Sequence, residues 1–216
     1  MKQSAELIVL STTKVGEGQV VVHTLSKEFG RRGFIVHPGK KTPAALFLPL
    51  NILEADVVEN PKSQLWSLKD ISALDALGGI RGNLHKNTIS LFLSEVLFRT
   101  VREGAYEDGL YEWCVRSILT LDALDGDFSN FHVLWLLDFA AALGFRPSLE
   151  DILPFAGEDA PLFKELMSLP FGEAMLVPLS GTKRTDMCES ILRYLEFHTD
   201  QSIRVKSLAV LRELYK

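Results

Sequence analysis

Thr24 to Lys41 reads Thr-Leu-Ser-Lys-Glu-Phe-Gly-Arg-Arg-Gly-Phe-Ile-Val-His-Pro-Gly-Lys-Lys, and Lys27, Arg31, Arg32, Lys40 and Lys41 gather at its two glycine-containing breaks. Cations at this spacing suit one kind of chemistry, neutralisation of phosphates along a nucleic-acid backbone, which needs neither a nucleophile nor proton transfer. Between residues 12 and 45 six lysines and arginines stand against two glutamates, on a chain whose formal net charge is -5. The sign of the patch rather than of the sum decides what it attracts. Phe29 or Phe34 would offer a ring to a base. Two blander readings stay open: the charges would also guard a strand edge against aggregation, and the rings would also fill the interior of a small barrel.

Catalytic groupings are missing by spacing. Ser180-Gly181-Thr182 is not a nucleophile elbow, and His23, His37, His85, His132 and His198 form no metal pair. Gly16-Glu17-Gly18 and Gly30-Arg31-Arg32-Gly33 lack the spacing of a dinucleotide fingerprint and read as turns. Cys114, beside Trp113 on an expected helix, reads as core; with Cys188 it reads as a buried free thiol of a reducing compartment, not as half of a disulfide or part of a zinc knuckle. The expectation is therefore a non-enzyme with no catalytic residue, no cofactor and no metal. No apolar run reaches membrane-spanning length, and the N-terminal run reads as a strand, not a signal peptide, so no membrane is expected and the location is the cytosol.

The elements that must position the cations come next. Residues 5–11 and 19–25 are short and β-branched, joined by Gly16-Glu17-Gly18 as a hairpin. Further strands are expected at 33–37, 46–50, 52–58 and 65–69, five or six in about 70 residues, as a small closed barrel requires. After Asp70 the texture changes, and Gly78-Gly79 reads as a linker. From Lys86 the apolar residues Ile89, Phe92, Leu93, Val96, Leu97 and Val101 follow a helical course. More helices are expected over 108–125, 130–143, 160–168, 186–199 and 202–215. The third is apolar nearly all round and should lie at the centre of a helical domain. The fold class is thus α+β in two domains, a β-barrel over 1–80 and an all-α domain over 81–216.

The order of these pieces resembles the RecO family of bacterial DNA repair and recombination mediators. Gly16-Glu17, Thr24-Leu25, Gly30 and Arg31 follow the family's turn, Thr-Leu and Gly-basic signature. Leu48-Pro49-Leu50, Leu93-Ser94-Glu95-Val96-Leu97, Leu136-Leu137 through Leu143-Gly144-Phe145 and Pro147, Arg193-Tyr194-Leu195-Glu196-Phe197-His198 and Lys206-Ser207-Leu208 continue it. Two features depart from the pattern. Residues 148–180 hold no cysteine, where many members carry a four-cysteine zinc finger, so metal binding is not implied for this chain. His37-Pro38-Gly39 stands where the family tends to place a cation.

The resemblance implies an N-terminal OB-fold and a helical domain that bind single- and double-stranded DNA and anneal complementary strands in DNA repair and recombination within the RecFOR pathway. It implies partnership with RecR, contact with the acidic C-terminal tail of single-stranded DNA-binding protein, help in loading RecA, and a cytoplasmic, nucleoid-associated location. Lys27, Arg31, Arg32, Lys40 and Lys41 are the expected DNA contacts. Arg193, His198 and Lys206 are the expected partner contacts, because an acidic tail ending in an apolar residue needs a cation beside an apolar helix face. A reading from a different class remains beside it: a protein-interaction adaptor whose barrel is only structural.

Overall fold

A computed structural model describes residues 2–40, 42–61, 63, 65–105 and 107–215. Strands β1 (Lys2–Val15), β2 (Gln19–Ser26), β3 (Gly30–Val36), β4 (Ile52–Val58) and β5 (Trp66–Ala73) close into a barrel in the order β1-β2-β3-β5-β4. All neighbouring pairs are antiparallel except β3 with β5, where Phe34 faces Trp66 and Ile35 faces Ser67. This is the partly Greek-key closure of an OB-fold. Side chains alternate across each strand, so one face of every strand fills the interior. Ala5, Leu7, Val9, Val22, Phe34, Val36, Leu53, Ala55, Val57 and Leu68 make up that core.

A strand expected over 46–50 is absent. Ala44–Phe47 forms a 3-10 turn instead, and Leu50 adopts a left-handed conformation at φ 62°. Pro49 has no N–H to give a ladder, and Asn51 Nδ2 holds the turn by donating to the carbonyls of Ala45 and Leu46 at 3.0 Å each.

Helices follow: α1 (Gly78–Arg81), α2 (Leu84–Thr100), α3 (Leu110–Ala123), α4 (Phe131–Ala142), α5 (Leu149–Ala156), α6 (Ala160–Ser168), α7 (Phe171–Leu176), α8 (Gly181–Thr199) and α9 (Ser207–Leu214). The expected linker at Gly78-Gly79 is the start of α1, and Gly79 is there for space: a Cβ would lie 2.0 Å from the Asp122 carbonyl oxygen. The chain forms two compact units, residues 1–78 with 101–118, and residues 79–100 with 119–216. A single cut after residue 80 therefore does not describe the contacts. The 101–118 segment joins the barrel unit because Gly104 N–H donates to the Arg31 carbonyl at 2.9 Å and the Tyr111 hydroxyl donates to Glu6 at 3.3 Å.

In the helical unit α4 is buried along nearly its whole length, as its all-round apolarity requires, and packs against α2, α7 and α8. Helix α8 begins five residues earlier than its apolar period suggests. Ser180 caps it, accepting from the Lys183 N–H at 3.2 Å, and a Cβ on Gly181 would meet the Tyr215 carbonyl oxygen at 2.4 Å. Helix α9 starts later than expected, since Ile203 is tied outside it through its N–H to Glu196 at 2.6 Å. Its first turn is capped from α2, where Glu95 accepts from both the N–H and the hydroxyl of Ser207 at 2.9 and 2.6 Å.

His132 on α4 is 1% exposed, stacked on Tyr215 at 6.1 Å and edge-on to Phe92 at 6.0 Å. Burial, and then the charge of Arg184, push its pKa down from 6.5 to about 3. The unfolded chain therefore takes up a proton that the folded unit refuses. Stability present above pH 6.5 is lost as pH falls toward 3, at up to about 1.4 kcal/mol per pH unit. Urea unfolding from pH 7 to pH 4 should show this limb, and His132→Phe should flatten it. An equal pH dependence in both proteins would contradict it.

Candidate nucleic-acid interface

The hairpin that carries the cations is built locally. Gly30 takes φ 61°, and the buried Ser26 hydroxyl accepts from the Phe29 N–H at 2.8 Å and donates to the Gly30 carbonyl at 3.2 Å. A three-residue loop, Lys27 to Phe29, results, with glycine at the left-handed position that such loops need. Across the ladder Thr24 faces Arg32 and Leu25 faces Arg31.

The expected contacts do not form one cluster. Lys27, in the turn, pairs with Glu112 on α3 at 3.1 Å, which raises the lysine pKa. Arg31 donates through Nη1 to the Val101 carbonyl at 3.2 Å, and it helps push the pKa of neighbouring His23 down, after burial. Arg32 leaves β3 on the opposite face. It shares its side with Phe34 and Val36, and its guanidinium lies over the Trp66 ring, 3.5 Å from the centroid. Lys40 is exposed beyond the far end of β3, about 20 Å from the turn at the rise of a strand. Lys41 lies outside the described residues. Near Lys40 the Gln19 side-chain amide lies 2.9 Å from His37 Nε2.

Of the two rings expected to meet a base, Phe34 is fully buried in the barrel, and Phe29 is half-buried against it, 6.4 Å away. The ring that sequence reasoning missed is Trp66. It stands edge-on to Phe29 at 5.6 Å. Its position at the start of β5, opposite Phe34 in a parallel pair, could not be read from its neighbours in sequence.

In the helical unit Arg193 and His198 are both exposed on α8. Arg193 Nη2 donates to the Phe155 carbonyl at 3.2 Å and to the Ser190 hydroxyl at 3.1 Å. His198 packs on Tyr194 at 4.3 Å and lies 5.2 Å from Phe197, itself 73% exposed. Phe197 is the apolar partner that the sequence reading left unnamed. Lys206 is exposed at the N-cap of α9 and has no side-chain bond to Arg193 or His198.

Cys114 and Cys188 are free and fully buried, and burial raises both thiol pKa values far above the ordinary range. Reactive thiols need the opposite environment. Among the described residues no group of three or more His, Cys, Asp or Glu could hold a metal ion, and no helix is long and apolar enough to cross a membrane.

The family model for the C-terminal region of recombination protein O matches residues 81–152. The DNA repair protein RecO of Phocaeicola vulgatus is 28% identical over 240 residues, covering all of both chains. The one from Bacteroides fragilis is 27% identical over 241 residues with the same full coverage. The one from Porphyromonas gingivalis is 29% identical over 149 residues, 66% of this chain and 61% of its own. The chain is thus similar over its whole length to DNA repair proteins RecO, and its residues 81–152 match the model of the C-terminal region of recombination protein O.

Proposed function

We propose that this protein is a DNA repair mediator that binds single- and double-stranded DNA through its barrel, anneals complementary strands and, with RecR, helps load RecA. The observation that carries the reading is a closed OB barrel bearing cations at both ends of β3 on a chain that is acidic overall. Annealing requires only charge neutralisation and strand capture, which such a barrel supplies without a catalytic group. Lys27, Arg31, Arg32, Lys40 and Lys41 are the proposed backbone contacts. Arg193, His198 and Lys206 are the proposed contacts for the acidic tail of single-stranded DNA-binding protein, and Phe197 beside Arg193 and Phe155 supports them with an apolar ring next to a cation. Titration with a labelled single strand at low salt tests the reading. An adaptor with a merely structural barrel would give no saturable binding.

The Lys27 ion pair sets up a sharper result. A phosphate and Glu112 compete for the same ammonium group. Glu112→Gln should therefore raise affinity for single strands a few-fold while leaving the salt slope near its wild-type value, because the same phosphates are neutralised in both proteins. Unchanged affinity would remove Lys27 from the contact set.

A further inference from the structure

Near the β2–β3 turn three side chains, none of them fully buried, lie together: Phe29, Trp66 and Arg32. Residues 32, 34 and 36 share one side of β3, and Phe34 and Val36 fill the interior. Arg32 is thus the last inward-facing position before the turn. Its side chain meets the rim of the core, where a charge finds little room, and its guanidinium carbon lies over the Trp66 ring, 3.5 Å from the centroid. Phe29 stands edge-on to Trp66, at 89° between ring planes, and buttresses the indole against tilting. The Thr24 hydroxyl donates to the Arg32 carbonyl at 3.3 Å and fixes the backbone beneath. A guanidinium is a plane with two faces that stack and donors along its edge.

We propose that Arg32, laid on Trp66, is a stacking site for one nucleobase of a single strand, with the guanidinium edge reaching an adjacent phosphate. The proposal rests on the DNA-binding reading above and goes beyond it, because charge neutralisation alone ignores whether a base is present. Stacking on a planar cation is tolerant of sequence, since every base has a π-face, and it selects unpaired over paired bases. An arginine is required, because a lysine would keep the charge and lose the plane.

The test uses the full chain, a labelled oligothymidylate and an abasic strand of equal length and charge. Wild type should bind the base-bearing strand about tenfold more tightly than the abasic one. Arg32→Lys should lose most of that preference while keeping the salt slope. Binding should also perturb tryptophan fluorescence, and Trp66→Phe, which keeps a ring in the core, should abolish the change and so assign it to Trp66 rather than Trp113 or Trp135. Equal binding of both strands, or a preference that Arg32→Lys leaves intact, overturns the stacking site while DNA binding stands. No saturable binding of either strand overturns the DNA-binding reading itself.

Discussion

Asn130→Ala should destabilise the helical unit by about 3 kcal/mol or more, read as a shift in urea unfolding followed by circular dichroism. Asn130 is 1% exposed at the start of α4, where an asparagine would ordinarily cap the helix. Its side chain does not. Nδ2 donates to the carbonyls of Ala174, Met175 and Val177 at 3.1, 3.3 and 2.8 Å, while Oδ1 accepts from Arg184 Nε at 2.9 Å. One amide thus holds the end of α7 and the segment leading to α8, and satisfies a half-buried guanidinium. Removing it strands several buried polar groups, each costing about 1–3 kcal/mol if nothing replaces the bond. Asn130→Asp separates the parts of this argument. It keeps an acceptor for Arg184 but turns a carboxylate toward the carbonyls, so it should be at least as damaging as alanine. Losses within about 0.5 kcal/mol of wild type in both variants, the range of ordinary surface changes, would show that the amide holds nothing.

Phe34→Ala should have a comparable effect on the barrel, a loss of about 3–5 kcal/mol from the cavity and the forfeited contacts. Phe34 is fully buried, one of the largest such side chains in the chain, and it sits where β2, β3 and β5 meet through the Val22 and Trp66 pairings. Collapse around the void would have to move Phe29 and with it Trp66, since Phe29 meets both Phe34 and Trp66 edge to face. Urea unfolding followed by tryptophan emission, with Trp66 as the barrel's own reporter, measures the effect. A loss under about 1 kcal/mol would mean that the interior repacks readily around another residue.

The barrel was legible because β-branched runs broken by glycine leave few alternatives, and each of its five strands overlaps an expected one. Leu46–Leu50 was misread because its apolar run outweighed Pro49, whose missing N–H excludes a ladder position. Helix α5 escaped notice although Ser148 and Asp151 form a capping box at its start, because Pro154 inside an eight-residue helix breaks the usual pattern. The start of α8 was lost for a related reason. Ser180-Gly181 looks like a turn, and only the approach of Tyr215 explains the glycine.

The candidate interface was half legible. Residue type and spacing gave the cations, but not where each one goes. Adjacent arginines in a strand point to opposite faces, so Arg31 and Arg32 were never going to act as a pair. What they meet, a carbonyl from residue 101 and a ring from residue 66, lies at sequence separations that no local pattern encodes. The apolar half of the α8 surface was hidden in the same way, because an exposed phenylalanine such as Phe197 looks like core in a one-dimensional pattern.

The central claim is that the cations of the barrel bind DNA as a phosphate-neutralising surface. The most direct measurement is the slope of log affinity against log salt for single strands of two unrelated sequences, in wild type and in Lys27→Glu/Lys40→Glu, whose two sites are exposed and threaten the fold little. Equal slopes for the two sequences in wild type, with the slope shallower by about 1.4 in the double variant, is the predicted result. An unchanged slope in the double variant, or no saturable binding by wild type at low salt, would contradict it.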